Sequence, residues 1–65
     1  MNKIKIEVTD VNNKLQNYLI RNHVKYSSLN KNKNKVTFIC EYNSYVKINK
    51  RFKTRILKYY GRKNL

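Results

Sequence analysis

The chain has 65 residues, sixteen Lys and Arg against three acids, a formal net charge of +13, and a single cysteine. That length gives room for one domain, and a lone cysteine excludes an internal disulfide. Cys40 and His23 cannot by themselves complete a four-ligand zinc site, so neither staple that small folds commonly use is expected, and no cofactor is implied.

Ile4, Ile6 and Val8 alternate with Lys3, Lys5 and Glu7, which predicts a half-buried first strand. Thr9 or Asp10 can cap a helix that follows, because their side-chain oxygens accept from its first free N–H groups. Val11, Leu15, Tyr18 and Leu19 form the apolar stripe of that helix. Asn22 and His23 are expected to end it, before a second strand over residues 24–29. Residues 30–34 are polar and Asn-rich, and asparagine tolerates the left-handed conformation of turns, so a hairpin loop is expected there. Val36, Phe38 and Cys40 alternate with Thr37, Ile39 and Glu41 in a third strand. Asn43 or Ser44 can cap a second helix, with Tyr45, Ile48 and Phe52 on its apolar face and Lys47, Lys50 and Arg51 opposite. Residues 54–60 read as the last strand, closed by Gly61. Its facing stays open, because Ile56 and Leu57 are adjacent and of opposite parity.

Strand, helix, strand, strand, helix, strand is the order of the α+β, ferredoxin-like βαββαβ arrangement. It implies a four-stranded antiparallel sheet with two helices on one face. The two most apolar strands, first and third, should be central. No linker divides the chain, so residues 1–65 read as one domain. A chain of this size buries only about 60% of the surface its unfolded form exposes. No run of about 18 apolar residues is present, and no apolar region follows the basic start as a signal peptide would require.

Candidate chemistry is sparse. Glu7 and Glu41 share the parity of the open sheet face, but they belong at opposite ends of antiparallel strands. Cross-strand pairing of Glu41 with Lys3 or Lys5 therefore suits them better than joint acid–base work at one bond. His23 falls at a helix end and Cys40 on a core parity, and no spacing joins them as base and nucleophile. An enzyme, and a small-molecule substrate, are not expected. The RNA-recognition signature fails as well. It needs aromatics on the open face of the two central strands, where this chain has Lys3, Lys5 and Glu7, and Thr37, Ile39 and Glu41. Tyr26, Tyr42, Tyr59 and Tyr60 are left as candidate exposed rings, while Tyr18, Tyr45, Phe38 and Phe52 belong to core faces.

Charge is the strongest signal. Residues 1–24 hold four bases against Glu7 and Asp10, whereas residues 25–65 hold twelve against Glu41 alone. AT-rich coding produces such a crowd of Asn, Lys, Ile and Tyr, yet the field acts physically whatever its origin. The predicted partner-binding set is Lys47, Lys50, Arg51, Lys53, Arg55, Lys58, Arg62 and Lys63, with Lys31 and Lys33 in the loop. Its partner would be a polyanion: an anionic lipid surface, nucleic acid or an acidic protein. A homo-oligomer or another protein partner stays open. Phosphate contacts of this kind supply affinity without sequence information and weaken steeply with salt.

Some stretches also resemble a known family. These are Ile4-Lys5-Ile6-Glu7-Val8, Leu15-Gln16-Asn17 with Asn22-His23-Val24, Val36-Thr37-Phe38 with Tyr45, and Ile56-Leu57-Lys58-Tyr59-Tyr60-Gly61. Their apolar spacing, spread over nearly the whole chain, resembles the N-terminal cytoplasmic segment of the YqfD-type stage IV sporulation proteins of spore-forming Firmicutes. The chain departs from that pattern at Thr9-Asp10, where the family has a glycine. It departs again at His23 in place of a helix-ending glycine, and at Gly61-Arg62-Lys63-Asn64 in place of "GLPF". The resemblance implies a non-enzymatic cytoplasmic domain that precedes transmembrane helices in a longer parent chain. Lys58, Arg62 and Lys63 would then lie at the inner membrane face, where Lys and Arg are in excess and gain energy from anionic lipid.

Overall fold

The computed structural model describes residues 2–60. Two strands form the centre of one sheet: β1 (Lys3–Thr9) and β3 (Lys35–Glu41), antiparallel, with Ile6 opposite Phe38. The edges are β2 (Tyr26–Asn32), beside β3, and β4 (Lys53–Tyr59), beside β1, giving the order β2-β3-β1-β4. Helices α1 (Leu15–Arg21) and α2 (Tyr42–Asn49) carry the connections from β1 to β2 and from β3 to β4. The fold is α+β with the ferredoxin-like strand order, and the expected central pair is central.

Period-two alternation explains the core. Ile4, Ile6, Val8, Val36, Phe38 and Cys40 project to one face and are buried with Leu15 and Leu19 of α1 and Ile48 of α2. Tyr18, Val24, Tyr45, Phe52 and Ile56 pack half-buried around them. Phe38 anchors the group, with the Tyr26 ring edge-on at 5.8 Å. Removing aromatic and aliphatic surface of this kind from water stabilises by about 25 cal/mol per Å².

Several boundaries differ from the sequence expectation. Helix α1 begins at Leu15, and Val11 is 67% exposed in the preceding turn. Asp10 still serves the helix start, but from a distance. Its buried carboxylate accepts from the backbone N–H groups of Lys14 (2.9 Å) and Leu15 (3.3 Å) across the intervening loop. Helix α2 starts at Tyr42, ahead of the expected caps Asn43 and Ser44. Glu41 is its extended N-cap without a side-chain bond, and the Tyr42 N–H donates to the Asn2 carbonyl at 3.0 Å. Strand β2 runs through to Asn32, so the expected loop shrinks to a turn at Lys33-Asn34. A bulge at Leu57 settles the facing of β4. Ile56 pairs with Ile6 on the core side, and Lys58 pairs with Lys5 on the other.

Four non-glycine residues hold positive φ: Asn13, His23, Ser28 and Lys33. His23, at +53°, closes α1. Its N–H donates to the Ile20 carbonyl (3.2 Å) and the Val24 N–H to the Leu19 carbonyl (2.9 Å), the paired bonds of a Schellman ending. Ser28 sits in the β2 bulge, where two residues oppose one on β3.

Candidate anion-binding surface

Strand register decides which charges share a face, because directly paired residues project to the same side. With Ile4, Ile6 and Val8 turned to the helices, the open face receives Lys3, Lys5, Glu7 and Thr9 from β1. It also receives Lys35, Thr37, Ile39 and Glu41 from β3, and Lys53, Arg55 and Lys58 from β4. Six bases therefore meet two acids. The acids are placed opposite bases: Glu41 pairs with Lys3, and Glu7 with Arg55. Two rows remain without compensation. Lys5 stands directly opposite Lys58. Thr9 stands between Lys35 and Lys53, with the Lys35 Nζ donating to its Oγ1 at 3.2 Å. Like charges directly opposite one another destabilise a sheet. At Lys58 part of that cost is offset, since Nζ lies 5.1 Å from the centre of the Tyr60 ring.

The predicted basic set is therefore divided. Lys53, Arg55 and Lys58 join the open face, while Lys47 lies on α2, and Lys50 and Arg51 follow its end on the other side of the sheet. Arg62 and Lys63 lie outside the described residues. Lys31 belongs to β2 and donates to Asn13 Oδ1 at 2.7 Å, and Lys33 occupies the turn. Lys3, Lys5 and Lys35 complete the open-face group, although the set predicted from charge density omits them. Their signal was the odd parity of their strands, not local charge density.

The helical layer carries a second feature. Lys14, Asn17, Tyr18, Ile20 and Arg21 of the α1 region line a groove with Arg51 and Phe52, with a volume of about 700 Å³. Three cations and no acid border it. The Tyr18 and Phe52 rings meet edge-on, 5.5 Å apart at 71°. Neither helix contains an acidic residue.

Reactive groups do not converge. His23 is exposed at the end of α1, whereas Cys40 is buried in β3. Burial, and then the neighbouring Glu41 charge, push the Cys40 thiol up to about 11, so at neutral pH it is a protonated core group. Glu41 lies opposite Lys3 at the start of β1 and Glu7 lies towards the other end. Among the described residues no group of three or more His, Cys, Asp and Glu side chains could hold a metal ion. No described helix is long and apolar enough to cross a membrane. No family model, curated protein or solved structure matches this chain.

Proposed function

We propose that this is a non-enzymatic interaction domain whose open sheet face holds a polyanion. The observation that carries this reading is the uncompensated pair Lys5 and Lys58, with Lys35 and Lys53 in a second basic row on the same face beyond the Glu7–Arg55 pair. A sheet built for stability alone would place an acid opposite one of them, as it does for Lys3 and Arg55. A bound phosphate between Lys5 and Lys58 relieves the repulsion. The resemblance to the soluble part of sporulation membrane proteins points to an anionic lipid surface, reached through a longer parent chain at the inner membrane face.

Flotation with vesicles tests this. Binding is expected to mixed phosphatidylglycerol–phosphatidylcholine vesicles and not to phosphatidylcholine alone, with steep loss as salt rises. The double variant Lys5→Gln/Lys58→Gln should weaken it by about fivefold per lysine. Equal binding to neutral vesicles, or no effect of the double variant, would refute the proposal. Nucleic acid is the second reading. It is favoured by the aromatic rings set beside cations, Tyr60 near Lys58 and the Tyr18–Phe52 pair in the helical groove. Mixed-sequence DNA in the same salt series distinguishes the two.

A further inference from the structure

We propose that the groove between α1 and the α2–β4 connection is a separate binding site for a short single-stranded segment of nucleic acid. It deepens the second reading above, and it lies across the sheet from Lys5 and Lys58, so the two sites can fail independently.

Lys14, Tyr18 and Arg21 are spaced i, i+4 and i+7, which lines them up along one side of α1. Over seven residues the helix rises roughly 10 Å. Arg51 and Phe52, beyond the end of α2, line the groove together with this row, and the Phe52 ring meets that of Tyr18 edge-on. The result is an open groove bordered by three cations, with two half-buried aromatic rings among them. Its volume lies in the range of ligand clefts.

Each part of the groove selects among anions. Arginine offers a planar fork of donors suited to phosphate. A flat bilayer cannot bring its phosphates to recessed rings, and an acyl chain offers nothing to the Asn17 amide or the Tyr18 hydroxyl. A nucleobase edge offers donors and acceptors to both, and its face is tolerant of any aromatic neighbour. A duplex keeps its bases stacked inside a stiff cylinder, whereas a single strand can turn one base into the groove while flanking phosphates meet Lys14, Arg21 and Arg51. This is recognition without sequence preference.

The test is an amide-resolved NMR titration of the full chain with 5′-phosphorylated thymidine dinucleotide. Thymidine, pyrophosphate and dihexanoyl phosphatidylglycerol serve as parallel probes. The dinucleotide is expected to move the amide signals of Lys14, Asn17, Tyr18, Arg21, Arg51 and Phe52 and to leave those of Lys5 and Lys58 in place. Pyrophosphate and the short lipid should bind at least about tenfold more weakly, because they lack the ring. Arg21→Gln and Arg51→Gln, both exposed, should each lower dinucleotide affinity about tenfold. Lys5→Gln/Lys58→Gln should leave it unchanged. Shifts confined to the open sheet face overturn the site, as does equal affinity for pyrophosphate or lipid, or indifference to both arginine variants. Loss of vesicle binding with dinucleotide binding intact would sink only the open-face reading.

Discussion

Substituting glycine for His23 should make the protein more stable. His23 has φ +53° in the position after the α1 C-cap, where both of its neighbouring Schellman bonds are already formed. A side chain with a β-carbon is held there against a cost of roughly 1–2 kcal/mol. Glycine removes that cost, but it adds freedom to the unfolded chain worth about 0.5–1 kcal/mol. The net expectation is a gain of about 0.5–1 kcal/mol, or roughly 3–6 °C in Tm for a domain of this size. Urea unfolding followed by circular dichroism would measure it. His23→Asn should fall between glycine and histidine, since asparagine enters the left-handed region more readily. His23→Ala should bring no gain, which separates loss of the imidazole from gain of glycine. A glycine variant no more stable than the alanine one would refute the argument from left-handed strain.

Three further outcomes follow from the core. Asp10→Ala should cost about 1–2 kcal/mol by urea titration, because the Lys14 and Leu15 N–H groups lose their acceptor. Phe38→Ala removes the fully buried ring at the sheet centre and should cost about 3–5 kcal/mol. That is comparable to the whole stability expected for so short a chain, so one-dimensional NMR should show an unfolded variant. Cys40 should resist thiol reagents at pH 8 until the protein is unfolded. Its pKa is raised from 9.0 to about 11 in the folded state. The stability linked to it is therefore fully present below about pH 9 and lost between about pH 9 and 11, on the order of 2 kcal/mol. The stability difference between wild type and Cys40→Ala should shrink across that window. A constant difference would refute the assignment.

How much could be read from the chain alone depended on whether a segment buries one face. Strands β1 and β3 alternate strictly, and their bounds and facing follow from Ile4, Ile6, Val8, Val36, Phe38 and Cys40. Strand β2 has no buried side chain, so nothing marked its reach past residue 29. Its ladder to β3 is a backbone matter, and Asn30, Lys31 and Asn32 join it despite their composition. Val11 completed an apparent helical stripe by coincidence, for the Asp10 carboxylate sets the helix start later. The bulge at Leu57 resolves the ambiguity of Ile56-Leu57 by leaving Leu57 unpaired, an irregularity that no periodicity announces. The charged surface was readable only in part. Composition located the bases along the chain, but faces are allotted by register, which splits Lys47, Lys50 and Arg51 from Lys53, Arg55 and Lys58. The groove was missed because Tyr18 and Phe52 satisfy a core pattern and remain half-buried in it.

Strand β2 has a consequence for motion. It is joined to the rest by one ladder, interrupted at Ser28 and Leu29, by the Tyr26 ring against Phe38 and by the exposed Lys31–Asn13 hydrogen bond. Every residue of it is exposed. Peeling β2 away would uncover the flank of Val36 and Phe38 and the sides of Leu15 and Leu19 that share a groove with Tyr26 and Leu29, while β3, β1 and β4 keep their pairing. Such an opening should cost far less than global unfolding, and amide protons of residues 26–32 should exchange with solvent well before those of β1. The sheet then behaves as a three-stranded body with a detachable margin, and the free edge of β3 would be offered transiently to any strand able to pair with it.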